Sequence, residues 1–221
     1  ARHRQLPRAL HCPGCNILLD AIDWQNHVMG CVTCRGFNVT KRHNAINAAF
    51  KAAAKSCGVA SDDQEPREYS AYQCPGCRER LPSENAAAEH VAICSRLSAS
   101  KRLSAEARRS GPDGRLYLGD QQVVYDVTVV VPTAPSFLKR GVHAAFADRV
   151  KDKVARYKER VEATSGQQFC VVGGTAYGHL CGDTVALLQR FSAASDGEVS
   201  VGELRARMSS ALVFSSGQVL A

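Results

Sequence analysis

Two stretches of this chain repeat one another, and each confines its residues to one local geometry. The first reads Cys12-Pro-Gly-Cys15, eleven residues, then His27-x-x-x-Cys31. The second reads Cys74-Pro-Gly-Cys77, twelve residues, then His90-x-x-x-Cys94. Pro and Gly let the chain fold back so that both sulfurs of a knuckle face one point. A His and a Cys four apart share one face of a helix, and Asp23 and Ser83 are the expected N-caps of those two helices. Three sulfurs and one nitrogen make a closed tetrahedral zinc site with no open position, which is the structural type. In the first unit Cys34 is an alternative to Cys31 as the fourth ligand. Cys57, Cys170 and Cys181 read as small buried residues.

Ten cysteines in a short secreted domain would imply disulfides. This chain has 221 residues, opens without a secretory apolar segment, and groups seven of its cysteines near histidines. Reduced, metal-bound thiolates inside a cell are the expectation. No apolar run approaches membrane-spanning length, so no membrane partner is expected. A hydrophobic fraction of 45% suits a globular protein, and a formal charge of +7 favours a polyanionic partner. Beginning on Ala1, the sequence reads as a piece of something longer. It holds no Tyr-x-Asp-Asp motif, which argues against its being a polymerase itself.

The clearest strand is Gln122 to Val131, rich in β-branched residues, preceded by Gly119-Asp120 and stopped by Pro132. Side chains alternate along it, so Val123, Tyr125, Val127, Val129 and Val131 share one face, and Val124, Asp126, Thr128 and Val130 the other. A carboxylate within such a run costs several kcal/mol, roughly, to bury unless something compensates it. Asp113, in Gly111-Pro-Asp-Gly114, lies one short hairpin upstream, where a neighbouring strand brings it beside Asp126. Two carboxylates on adjacent strands can hold Mg²⁺ through oxygen and leave positions for water and a phosphate. Nuclease chemistry then needs a cation for the water and the developing phosphorane charge.

In the common Pro-Asp…Asp/Glu-x-Lys arrangement that cation stands two residues after the second carboxylate. Here the position is Thr128. The next helix supplies a substitute: Phe146, Val150, Val154, Tyr157 and Val161 form an apolar stripe, and Lys153 falls within it. Lys151 and Lys158 project to the sides. The plain alternative is a Lys153 that snorkels to solvent.

Between the two cysteine units, Thr40 is the expected cap of a helix that Gly58 ends, with Ile46, Ala49, Phe50, Ala53 and Cys57 as its apolar stripe. Arg42 and His43 then sit in its first turn, either meeting a phosphate or forming a solvated basic turn. Residues 59–71 are polar and acidic and read as a linker. Residues 96–115 hold six Lys or Arg, including Arg108 and Arg109, against Glu106 and Asp113, a basic approach suited to nucleic-acid backbone. Phe169 to Gly174 reads as a second buried strand, and Gly178 to Arg190 as loop and helix with His179 unassigned. Val201, Leu204, Met208 and Leu212 recur at helical spacing, for core or partner packing.

The order His27-x-x-x-Cys31, Arg42-His43-Asn44, Pro112-Asp113, Asp126-Val-Thr-Val and Lys153-x-x-x-Tyr157 resembles the C-terminal part of site-specific non-LTR retrotransposon polyproteins. These carry a cysteine–histidine finger and a restriction-like endonuclease after the reverse transcriptase, and the doubled finger is most similar to the spliced-leader-type elements. The resemblance covers roughly residues 10–190. It implies an α/β restriction-endonuclease-like PD-(D/E)xK core, a small mixed sheet flanked by helices, with two Cys-Cys-His-Cys zinc units. It also implies nicking of double-stranded target DNA so that the polymerase primes on the freed 3′ hydroxyl, in the nucleus. Asp113 and Asp126 would hold Mg²⁺, Lys153 would assist the water, and Tyr157 would sit close by. Arg42 and His43 would contact the region of the scissile phosphate, and Arg108 and Arg109 the nucleic acid. The fingers would brace the nuclease and touch DNA or the element RNA.

The expected organisation is a finger with a basic lead-in over 1–38, a helix of the nuclease region over 39–58, and a linker and second finger over 59–98. The core follows over 99–194 and a helical tail over 195–221. Two other classes remain on the sequence: a non-catalytic nucleic-acid-binding module on the same fold, kept open by Thr128, and a zinc-stabilised protein-interaction domain, which leaves Asp126 unexplained.

Overall fold

The computed structural model describes residues 9–12, 15–20, 27, 32–62, 65–104, 108–131 and 141–217. Asp23 and Cys31 lie outside them, as do the side chains of Cys34, Arg108 and Arg109. Strands β1 (Ala9–His11) and β2 (Leu18–Asp20) form a hairpin around the first cysteine knuckle. Helix α1 (Val32–Ser56) leads to the short strand β3 (Ala60–Ser61). Strands β4 (Ala71–Gln73) and β5 (Arg80–Leu81), helices α2 (Glu84–Ile93) and α3 (Ala99–Ser104), and strand β6 (Arg108–Ser110) follow. Next come β7 (Gly114–Leu118), β8 (Gln121–Val130), α4 (Val142–Glu162), β9 (Gln167–Thr175), α5 (Gly182–Ala194) and α6 (Val201–Gly217).

Among the described residues the main sheet runs β3-β7-β8-β9. β7 and β8 form an antiparallel hairpin across Gly119, which has a φ of 58°. β8 and β9 are parallel, so α4 is the crossover between them. The architecture is therefore a small mixed α/β sheet with helices on both faces.

The alternation read from the sequence holds along β8. Val123, Tyr125 and Val127 enter a large cluster with Ile46 and Phe50 of α1, Leu187, Leu188 and Phe191 of α5, and Leu204, Met208 and Leu212 of α6. Val124 faces the other way, against Val150, Val154, Tyr157 and Val161 of α4. Asp126 shares that second face and, at 2% exposed, is as buried as the apolar residues around it. The helix before the sheet and the tail after it are thus part of one core with the strands.

Three expectations change. Helix α1 starts at Val32, not at Thr40. The stretch holds no proline, and its lone Gly36 costs only about 1 kcal/mol, which a helix this long carries. Arg42 and His43 consequently lie in mid-helix and not at the helix N-terminus expected from Thr40. Gly58 does end the helix: φ is 70°, Val59 N–H donates to Ala54 O at 3.0 Å and Gly58 N–H to Lys55 O at 3.1 Å, the double bond of a Schellman cap.

The stretch 59–71 is more than a linker. β3 pairs with β7, and the Tyr117 hydroxyl donates to Asp62 Oδ1 at 3.0 Å. Arg115 reaches the Glu68 carboxylate. A two-residue strand is too short to leave a periodic signal in sequence. Finally, α2 ends at Ile93, so Cys94 is its C-cap, with extended backbone, instead of a residue on its face.

Candidate metal centre and zinc units

The two cysteine knuckles are copies in three dimensions as well as in sequence. Asn16 N–H donates to Cys12 O at 2.9 Å, and Arg78 N–H to Cys74 O at 3.0 Å. Cys12 N–H donates to Ile17 O, and Cys74 N–H to Glu79 O, both at 2.9 Å. The residue after each second cysteine is left-handed, Asn16 at φ 60° and Arg78 at 63°. Such a turn brings both sulfurs to one side of the chain. His27 Nε2 lies 3.1 Å from Cys15 Sγ, and His90 Nε2 3.1 Å from Cys77 Sγ.

In the second unit the ligand atoms of Cys74, Cys77, His90 and Cys94 all lie within 4.8 Å of one another. In the first, Cys12, Cys15 and His27 do the same; the fourth ligand, Cys31 or Cys34, falls outside the described side chains. These cysteines form no disulfide. Both groups could hold a metal such as zinc. Ser83 caps α2 as expected, its Oγ accepting from Ala86 N–H at 3.2 Å. The sequence reading missed Glu79, whose carboxylate stands 3.5 Å from His90 Nδ1, the outer partner that orients a metal-binding imidazole. Burial pushes the Cys74 thiol up, but hydrogen bonds from the Cys77 and Gly76 N–H groups, together with those to the Cys94 and Cys77 side chains, bring it down to about 7.

The carboxylates meet at the end of the β7–β8 hairpin. β7 begins at Gly114, opposite Tyr125, while β8 runs on to Val130. Among the described residues the β7 side of β8 has no strand partner beyond that point, and Asp113 stands there. Its N–H donates to Tyr125 O at 2.8 Å, and its Oδ2 accepts from Val127 N–H at 2.5 Å. The same Oδ2 lies 3.0 Å from His43 Nε2. Asp126 comes from the opposite face of β8, with Lys153 Nζ of α4 at 2.5 Å from its Oδ2. That contact is a close ion pair without the angles of a hydrogen bond, so the buried oxygen has charge compensation but no directional donor.

Burial pushes the Asp126 carboxyl up to about 7; the Lys153 charge pulls it down and neighbouring Asp113 pushes it further up. His43 is raised above the usual imidazole value, first by its bond to Asp113. A buried carboxylate oxygen lacking a directional donor, next to a second carboxylate, is a donor set suited to a hard divalent cation.

Of the predicted site residues, Asp113, Asp126, Lys153 and His43 come together. Tyr157, one turn beyond Lys153, packs its ring on Phe169 and shares its hydroxyl with Ser110 Oγ at 2.8 Å, which Arg156 also reaches at 3.0 Å. Arg42 lies within α1 with its side chain 2% exposed. Thr128 is buried in register with Gly173. A cavity of about 450 Å³ opens between α4 and the start of α5, lined in part by Phe146, Val150, Val154, His179 and Leu180. It takes in Lys151 and Val154 on either side of Lys153 but neither Asp113 nor Asp126, so it stands beside the carboxylate pair without including it. Among the described residues no helix is long and apolar enough to cross a membrane. No known protein family and no curated protein matches the chain.

Proposed function

We propose that this chain is a metal-dependent DNA endonuclease with a PD-(D/E)xK-type centre made of Asp113, Asp126 and Lys153. The observation that carries the reading is Asp126: a carboxylate 2% exposed, beside a second carboxylate and 2.5 Å from a lysine that the next helix supplies. A purely structural ion pair at this depth is weak support for a fold, since desolvation offsets most of the attraction. A centre that must hold a cation and a phosphate has reason to keep it.

Asp113 and Asp126 would hold Mg²⁺, which when bound supplies the positive charge that stabilises a phosphorane. Lys153 takes the place that Thr128 cannot fill. Its ammonium is fixed by Asp126 on the sheet-facing side of α4, where it orients the attacking water and faces the charge that develops on the phosphate. Asp126, raised towards 7 by burial, would hold the cation in its ionised form. The zinc units brace the nuclease and contact DNA or the element RNA, and the formal charge of +7 favours such partners.

On this reading the chain works as part of a non-LTR retrotransposon polyprotein with a reverse transcriptase region, nicking target DNA in the nucleus. The test is conversion of supercoiled plasmid in Mg²⁺ or Mn²⁺ by wild type, Asp126→Ala and Lys153→Ala. Each protein is first shown to be folded and to carry about two zinc ions. Nicking by wild type alone supports the assignment. A folded wild type that binds DNA without nicking it would instead make the chain a non-catalytic binding module.

A further inference from the structure

We infer that His43 is a positioning residue for the metal centre, holding Asp113 by one oxygen so that the other is presented to a divalent cation. The inference rests on the endonuclease reading and departs from the sequence expectation that His43 touches phosphate. Asp113 Oδ2 has two protein donors, Val127 N–H at 2.5 Å and His43 Nε2 at 3.0 Å. Among the described residues no donor to Oδ1 is found, so the protein anchors the carboxylate by one oxygen, in a side chain 11% exposed beside Asp126.

The anchor is built from two directions. Val127 belongs to β8 and follows Asp126 directly, so the peptide carrying one carboxylate fixes the rotation of the other. His43 comes from α1, packed on the opposite face of the sheet. Asn44 Oδ1 lies 3.4 Å from His43 Nδ1, on the far side of the ring. With Nε2 committed to Asp113, His43 has no second donor for DNA at that atom. Carboxylates that ligate metals are themselves commonly hydrogen-bonded, and losing such a partner typically costs about 10–100-fold in metal affinity.

The test is direct binding of Mn²⁺, followed by electron paramagnetic resonance of the free ion, to zinc-loaded wild type, Asp126→Asn, His43→Ala and His43→Gln. DNA affinity is measured alongside in buffer free of divalent ions. His43 is partly exposed, with a side-chain exposure of 31%, so its truncation leaves the core intact, and glutamine keeps an N–H at similar reach. The expected result is one Mn²⁺ site in wild type that Asp126→Asn abolishes. His43→Ala weakens that site about tenfold or more, His43→Gln recovers most of the loss, and DNA affinity stays within about twofold for both. If wild type binds Mn²⁺ and His43→Ala binds it equally well, the positioning role is overturned while the metal centre stands. If His43→Ala loses DNA affinity instead, the phosphate contact read from the sequence replaces it. If wild type binds no Mn²⁺, the metal centre itself is wrong and the positioning role falls with it.

Discussion

Replacing Asp126 by Asn should make the cation-free protein more stable, by an amount that depends on pH. The Asp126 carboxyl stands at about 7 in the fold against a usual value of 3.8, chiefly because burial disfavours its charged form. A group whose pKa is raised by folding contributes stability that is complete below its unfolded value and is lost as pH rises through its folded value. For Asp126 the loss therefore begins near pH 4 and is complete just above pH 7. Three pKa units correspond to about 4 kcal/mol. At pH 5 roughly 2 kcal/mol of this is already lost, so about 2 kcal/mol more disappears between pH 5 and pH 7. Asparagine cannot ionise, and Lys153, only partly buried, can turn its ammonium to water along its stem. The stability difference between Asp126→Asn and wild type should thus widen by about 2 kcal/mol from pH 5 to pH 7 and level off above it. Urea unfolding followed by circular dichroism measures it, in buffer without Mg²⁺ but with zinc left in place, comparing midpoints at constant slope. A difference that is flat across this range would refute the claim that Asp126 is a destabilised buried carboxylate.

Tyr157→Phe should cost about 1 kcal/mol through its lost bond to Ser110 and leave nicking within about twofold; a hundredfold loss of nicking would return the hydroxyl to the reaction. Gly173→Ala should unfold or severely destabilise the domain, by more than about 3 kcal/mol, because φ is 146° and a Cβ would stand 1.8 Å from Thr128 O; a normal thermal midpoint would contradict the tight β8–β9 approach. His90→Ala should lower bound zinc by about one ion per chain while the main sheet persists, since the residues around Cys74 form their own small cluster. Loss of all far-ultraviolet structure in that variant would show that the zinc unit and the sheet fold as one.

The parts of this protein written in period and spacing were legible before the structure. The β8 alternation put Asp126 opposite the large core, and the α4 stripe put Lys153 on the sheet-facing side, so their meeting follows from two independent patterns. The repeated knuckle predicted two copies of one turn, and the left-handed Asn16 and Arg78 are those copies. What failed had no pattern to carry it. Thr40 looks like a cap, yet nothing before it breaks the helix, and the choice between starting at 32 and at 40 rests on packing. That difference moved His43 from a helix end to the back of Asp113. β3 is two residues long, and its pairing with β7 is a long-range contact without local preference. Arg42 reads as a surface cation because arginine usually is one; only the fold reveals that it is buried.

The claim on which the account rests is that Asp113, Asp126 and Lys153 cut one strand of DNA with the help of a divalent cation. The most direct measurement is the conversion of supercoiled plasmid to open circles in Mg²⁺, followed by treatment of the product with DNA ligase. Open circles are expected from wild type and none from Asp126→Asn, with resealing by ligase, because hydrolysis that leaves a usable 3′ hydroxyl leaves the adjoining 5′ phosphate as well. A zinc-loaded wild type that binds the plasmid and leaves it supercoiled in Mg²⁺ and Mn²⁺ alike would contradict it.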